Sequence, residues 1–170
     1  MQNIVLRPYR NDDQEALVKH LNNRKIWDNV RDVVPFPYTP DDADWWINHN
    51  LQQVGTPQNL AIDLNGALIG AVGLILGNDV HRINAEIGYW LSENYWNQGI
   101  MPDILAKMVN YTFENFPAIQ RIFAGVFEYN LASMKVLEKA GFHLEAIHRK
   151  AIIKNEKIWD EYLYVLSREL

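Results

Sequence analysis

From Ile83 to Leu91 the apolar residues Ile83, Ala85, Ile87, Tyr89 and Leu91 alternate with Asn84, Glu86, Gly88 and Trp90, which predicts a strand with one face in the core and the other on a cleft. A short loop follows, and a helix begins near Gly99. Pro102 suits the first turn of that helix, where its missing N–H would have had no intrahelical partner. The backbone N–H groups around Gln98 to Met101 would then point out of a helix N-terminus, a ready site for a phosphate. The spacing of Ile104, Leu105, Met108, Val109, Thr112, Phe113 and Phe116 marks the helix's apolar face, and Pro117 ends it.

The rest of the chain is laid out around this stretch. Asn3 to Tyr9 reads as a first strand, and Asn11 with Gln14 as a capping pair for a helix carrying Ala16, Leu17, Val18 and Leu21. A second helical piece runs through Ile26 and Trp27, and the prolines of Asp32 to Tyr38 make that segment a loop. Thr39 caps a third helix, with Pro40 first and Asp41, Asp42 and Asp44 in the opening turn, so this acidic run reads as a helix start. Asn65-Gly66 between two apolar runs predicts an antiparallel hairpin over Gln58 to Leu76, and a turn near Gly77-Asn78-Asp79 leads into the central strand. Downstream come a strand at Arg121 to Phe127, a helix at Ala132 to Ala140, a strand at Phe142 to His148 and a last strand at Lys157 to Ser167. Gly141 would sit just past its helix in the left-handed conformation, with Phe142 folding back on Leu137. The order predicts an α+β fold with a mixed sheet.

Composition narrows the function classes. At 170 residues, with 48% hydrophobic residues and no linkers or repeats, one domain spanning 1–170 is expected. A net charge of -5 disfavours a nucleic-acid surface and suits a cationic or neutral partner. The absence of cysteine removes disulfides, thiol nucleophiles and Cys-ligated metals. The five histidines, His20, His49, His81, His143 and His148, show no metal spacing, so no metal is expected. With no apolar segment of spanning length and no leader-like start, the expected address is the cytoplasm, away from membranes.

Two constellations carry candidate chemistry. Trp96-Asn97-Gln98-Gly99-Ile100-Met101 holds one glycine at a strand-to-helix turn, which fits a phosphate site and an ordinary tight turn equally. Asn130 and Ser133, three residues apart at a helix start, read as capping residues or as polar contacts for a ligand.

Taken in register, Leu6-Arg7-Pro8, Glu86-Ile-Gly-Tyr-Trp-Leu91, Tyr95-Trp-Asn-Gln-Gly-Ile-Met101, Asn130-x-x-Ser133 and Trp159-Asp160 make the chain resemble the GNAT superfamily of N-acetyltransferases, and within it the Rim-type branch that acetylates protein N-termini. The resemblance implies a mixed, mostly antiparallel sheet of about seven strands flanked by helices, with acetyl-CoA as co-substrate. Carried over, Trp90 and Leu91 would hold the pantetheine, and Trp96, Asn97, Gln98, Gly99, Ile100, Met101 and Pro102 the pyrophosphate. Trp96 and Met101 depart from the family's first and last motif positions, and Asn97 stands where glycine is frequent.

Acyl transfer to an amine needs a base, an oxyanion donor and an acid for the leaving thiolate. Glu86 is the candidate base, directly or through water, and a backbone N–H near Leu91 would face the oxyanion. Asn130 and Ser133 would reach the pantetheine and sulfur, with Ser133 as candidate acid and Tyr95 or Tyr129 as alternatives. Trp27, Trp45 and Trp46 lie where the family builds its acceptor wall. Because Trp45 and Trp46 point about 100° apart on a helix, one belongs to the core, and Trp27 and Trp45 are the acceptor candidates. The acceptor implied is a protein or peptide N-terminal α-amino group. The alternatives are a small amine (polyamine, amino acid or antibiotic) and an acyl-CoA-binding module without turnover, in a monomer or homodimer.

Overall fold

The computed structural model describes residues 4–168. Its strands are β1 (Ile4–Arg7), β2 (Asn59–Leu64), β3 (Ala67–Leu76), β4 (Asn84–Leu91), β5 (Arg121–Phe127), β6 (His143–Lys154) and β7 (Lys157–Ser167). Its helices are α1 (Gln14–Leu21), α2 (Arg24–Trp27), α3 (Pro40–Leu51), α4 (Ile100–Asn115) and α5 (Leu131–Lys139). The strands form a seven-stranded sheet in the order β1-β2-β3-β4-β5-β7-β6. It is mixed: β4 and β5 are parallel, while β1–β2, β2–β3, β5–β7 and β6–β7 are antiparallel. This is the α+β architecture expected from the sequence. Asn3, the first residue of the predicted opening strand, lies outside the described residues.

The chain divides into two compact units. One takes the chain up to Gly73 together with Tyr89–Gln98. Its core gathers Tyr9, Leu17, Leu21, Ile26, Tyr38, Ala43, Ile47, Ala61, Leu68 and Ala71, with Trp46 and Trp90 packed against it. Beside this core Arg7 is buried between Asp13 at 2.7 Å and Asp63 at 2.6 Å, and Asp63 also accepts from the Gly66 N–H at 2.6 Å. One guanidinium thereby ties β1 to the start of α1 and to the β2–β3 turn. Asn65 and Gly66, with φ of 54° and 94°, make the two-residue turn expected of Asn-Gly.

Two helix starts differ in how closely they follow expectation. Thr39 and Asp42 form a reciprocal capping box at α3, as expected of Thr-Pro-Asp-Asp. Ahead of α1 a 3-10 turn over Asn11–Asp13 is closed by the Asp13 carboxylate, which accepts from the Arg10 N–H at 2.8 Å. The expected Asn11 and Gln14 pair does not cap this start: the Gln14 side chain donates to Asp44 at 2.7 Å, and Asp13 is held by Arg7.

The other unit takes Leu74–Gly88 and the chain from Gly99 onward. In α4, Ile104, Leu105, Met108, Val109 and Thr112 are buried at the predicted helical spacing. After α5, Gly141 takes φ 93° and the Phe142 N–H donates to the Leu137 carbonyl at 3.0 Å, the predicted fold-back. Along β5 Ile122, Ala124 and Val126 are buried, while Arg121, Phe123, Gly125 and Phe127 share the opposite face. The β6 strand runs past His148 to Lys154, beyond its expected end, because a register shift between His148 and Ile152 breaks its alternation.

Candidate active site

Strand β4 carries the first candidate. Ala85 and Ile87 are buried as the alternation requires, and Glu86 between them is half-buried on the other face. Ile83 is exposed and Tyr89 only half-buried, so the expected apolar face is shorter than the sequence pattern. The ladder with β5 runs over Asn84, Ala85 and Glu86, with Glu86 opposite Phe123, and the chain leaves this unit at Gly88.

Glu86 lines a cleft of about 390 Å³ on that face of the sheet. The cleft's apolar floor comes from Ile75, Phe123 and Leu163, and its polar groups from His81, Asn84, Arg121, His148 and Glu161. Arg121 is engaged by Glu145 and Asn84, and its guanidinium stands 5.3 Å from the Phe123 ring centre. The lining contains Glu86 and neither Asn130 nor Ser133.

The helix start at Gly99 is built as a turn of left-handed residues. Asn97 has φ 59° and Gly99 φ 74°, so asparagine, the side chain that best tolerates this region after glycine, suits position 97. Among the described residues no side-chain cap bond is made at the N-cap of α4, which is Gly99, and Pro102 has no N–H to offer. The first-turn donors are the N–H groups of Gly99, Ile100 and Met101, and nothing lies within 4 Å of where a Gly99 Cβ would sit. That open ground beside uncapped donors fits a phosphate. The Met101 side chain is buried in the core, so its bulk is turned away from the turn. Gln98 donates to the Asn94 carbonyl at 2.9 Å.

In the first unit, Trp96 donates its indole N–H to the Leu91 carbonyl at 2.7 Å, closing the loop between β4 and the turn. The Ser92 N–H donates to the Ile69 carbonyl at 2.8 Å. The Trp90 side chain packs on the core, tilted 6.4 Å from His20, and its backbone carbonyl lies against Gly70. Burial, with the charge of Lys19, holds the His20 imidazole below its ordinary range.

Of the acceptor candidates, Trp27 donates to the Val34 carbonyl at 2.9 Å, packs 5.4 Å from Phe36 and has Arg24 over its ring at 4.7 Å. Trp45 is 64% exposed and stacked on His49 at 5.2 Å, whereas Trp46 meets Tyr9 edge-on in the core. The pair divides as its helical phase requires.

Asn130 caps α5, accepting from the Ser133 N–H at 3.1 Å, so capping accounts for one of its contacts. Tyr129 packs edge-on against Trp159 at 4.8 Å.

Sequence reasoning did not single out Glu161, His148 or Gly125. Glu161 accepts from or faces the His148 Nδ1 at 3.2 Å, and a Cβ at Gly125 would collide with the other Glu161 oxygen. The signal was available: Trp159, Glu161, Leu163 and Val165 fall on one face of β7, and Glu161 is the acid in that row.

Residues 3–143 match the acetyltransferase (GNAT) domain family. The probable N-acetyltransferase YjcK of Bacillus subtilis is 41% identical over 95 residues, covering 56% of this chain and about half, 51%, of that protein's length. The L-amino acid N-acetyltransferase AaaT of Escherichia coli is 24% identical over 163 residues, 95% of this chain and 96% of that one. A GNAT-family acetyltransferase structure from Bacillus anthracis superposes with a TM-score of 0.83 at 22% identity, covering 98% of each chain. Because the domain match takes in well over half of the sequence and the fold agrees with it, this chain belongs to the GNAT acetyltransferases, a family of acetyl-CoA-dependent N-acyltransferases.

Proposed function

We propose that the chain transfers the acetyl group of acetyl-CoA to the α-amino group of a protein or peptide N-terminus, with Glu86 as general base. The observation that carries this reading is the Glu86 carboxylate lining a cleft of about 390 Å³ with an apolar floor. The 30% identity over 95 residues to the ribosomal-protein-serine acetyltransferase of Escherichia coli supports a polypeptide acceptor. A free L-amino acid is the second reading, favoured by the near full-length match to AaaT. It offers the same α-amino group.

Acetyl-CoA brings the acyl group activated as a thioester. Glu86 takes a proton from the acceptor's ammonium, directly or through water, leaving the nitrogen lone pair free to attack. A carbon–nitrogen bond forms and the carbon–sulfur bond breaks; Ser133, or Tyr95 or Tyr129, gives its proton to the departing sulfur and regains one from the nitrogen, which sheds it on becoming an amide. The N–H groups of Gly99, Ile100 and Met101 hold the pyrophosphate, the Trp90 and Leu91 backbone holds the pantetheine, and Asn130 orders the start of α5 beneath Ser133.

The test is Glu86→Gln, which removes the base while keeping the side chain's shape. The expected result is a fall of about 10²-fold or more in kcat and loss of the acidic limb of the pH profile. Unchanged turnover and pH profile in a folded variant would show that Glu86 is not the base. A lack of acetyl-CoA binding by calorimetry in the parent protein would end the enzymatic reading altogether.

A further inference from the structure

We propose that Glu161 selects acceptors carrying a second positive charge beyond the reacting amine, such as peptides that begin with lysine or arginine. The proposal rests on Glu86 receiving the reacting amine. Both residues line the same cleft and stand on the same face of the sheet. Glu86 lies opposite Phe123 on β5, while β7 brings Glu161 opposite Phe127 and Leu163 opposite Gly125.

The Glu161 carboxylate is aimed rather than adrift. One oxygen meets His148 Nδ1 at 3.2 Å, and the other lies over Gly125, in space that any Cβ at that position would fill. The side chain therefore leans from β7 across β5, toward the strand that carries Glu86. Gly125 is two residues along and one strand across from Glu86, roughly 8 Å at ~3.3 Å per residue and ~4.8 Å between strands. That is the reach of a lysine or arginine side chain measured from its own α-amino group.

The charges facing the cleft favour a dication. Its basic groups are Arg121, His81 and His148, of which Arg121 is engaged by Glu145 and His148 by Glu161. The acids Glu86 and Glu161 rise from a floor of Ile75, Phe123 and Leu163. An acceptor that buries a neutral side chain against the Glu161 carboxylate desolvates it without return, whereas a cation is repaid by a charge-assisted hydrogen bond. A site built around a polar partner rejects the analogue lacking it.

The experiment compares short peptides beginning with lysine or with norleucine, which matches lysine's stem without its charge, in the full chain. The parent enzyme should favour the lysine peptide by at least about tenfold in kcat/KM. In Glu161→Gln that ratio should fall toward one. Gly125→Ala keeps the charge but pushes the carboxylate aside, so it should lower the ratio as well. It also serves as the independent variant if Glu161→Gln does not fold, with acetyl-CoA binding as the control for both. Acetylation of both peptides without preference, or a preference that survives in these variants, overturns the proposal alone. Acetylation of no amine overturns it together with the function on which it rests.

Discussion

Replacing Gly70 with alanine tests how β3 supports the end of β4. A Cβ at position 70 would stand 2.5 Å from the Trp90 carbonyl oxygen, 3.1 Å from Leu91 Cα and 3.2 Å from Ile62 Cδ1. Two of these neighbours are backbone, which cannot rotate away as a side-chain tip can. To reach ordinary contact at 3.4 Å the Trp90 carbonyl must retreat by 0.9 Å. Overpacking of this kind costs about 1–3 kcal/mol, and the stiffer unfolded chain returns about 0.4–1 kcal/mol. A net loss of about 1–2 kcal/mol lowers the melting temperature by about 2–8 °C in a chain of this size. If the Trp90–Leu91 backbone grips the pantetheine, the same displacement raises KM for acetyl-CoA, and shifts near 1 Å can cost up to about 10²-fold. Thermal melts and acetyl-CoA titrations at fixed acceptor read the two effects separately. An unchanged melting temperature refutes the close approach, and a destabilised variant with unaltered KM refutes the grip.

Two further outcomes follow from the geometry. Glu156 sits in the β6–β7 turn at φ 61°, a left-handed conformation that costs a non-glycine residue about 1 kcal/mol, so Glu156→Gly should raise the melting temperature by about 1–4 °C; a fall would disprove the strain. His20 titrates below its ordinary 6.5 when folded, chiefly through burial, so the unfolded chain binds the proton first and stability falls as pH drops below about 6.5. Denaturant midpoints at pH 8 and 5.5 should differ less in His20→Gln than in the parent, and an identical difference would show that His20 does not carry the dependence.

The features legible in the sequence were those written locally. Asn65-Gly66, Thr39-Pro40 with Asp42, and Gly141 before Phe142 each specify a backbone conformation within a few residues, and each takes the form its sequence demanded. Gly99 was legible as a glycine at the strand-to-helix turn, and the structure adds its left-handed conformation, φ 74°. What escaped was set by pairing. Glu161 meets Gly125 only because β7 enters beside β5 in one particular register. The Asn11 and Gln14 pair failed because Gln14 reaches Asp44, thirty residues on, and Asp13 answers to Arg7. The tail of β6 was hidden by Lys150 at φ 52°, whose local turn breaks the two-residue period that marks a strand.

The position of β7 in the sheet has a consequence for synthesis. It lies between β5 and β6 although both precede it in the chain. From Phe127 to Ser167 a ribosome needs roughly 2–8 s at ~5–20 residues/s. Through that interval β5 has no partner on this side, and an unpaired edge invites other chains. The β6–β7 hairpin must close through Asn155-Glu156 before it can fill the gap, so easing that turn would shorten the exposure as well as stabilise the finished fold. A nascent chain stalled before Lys157 would present the β5 edge indefinitely, and with it a cleft that has no Glu161.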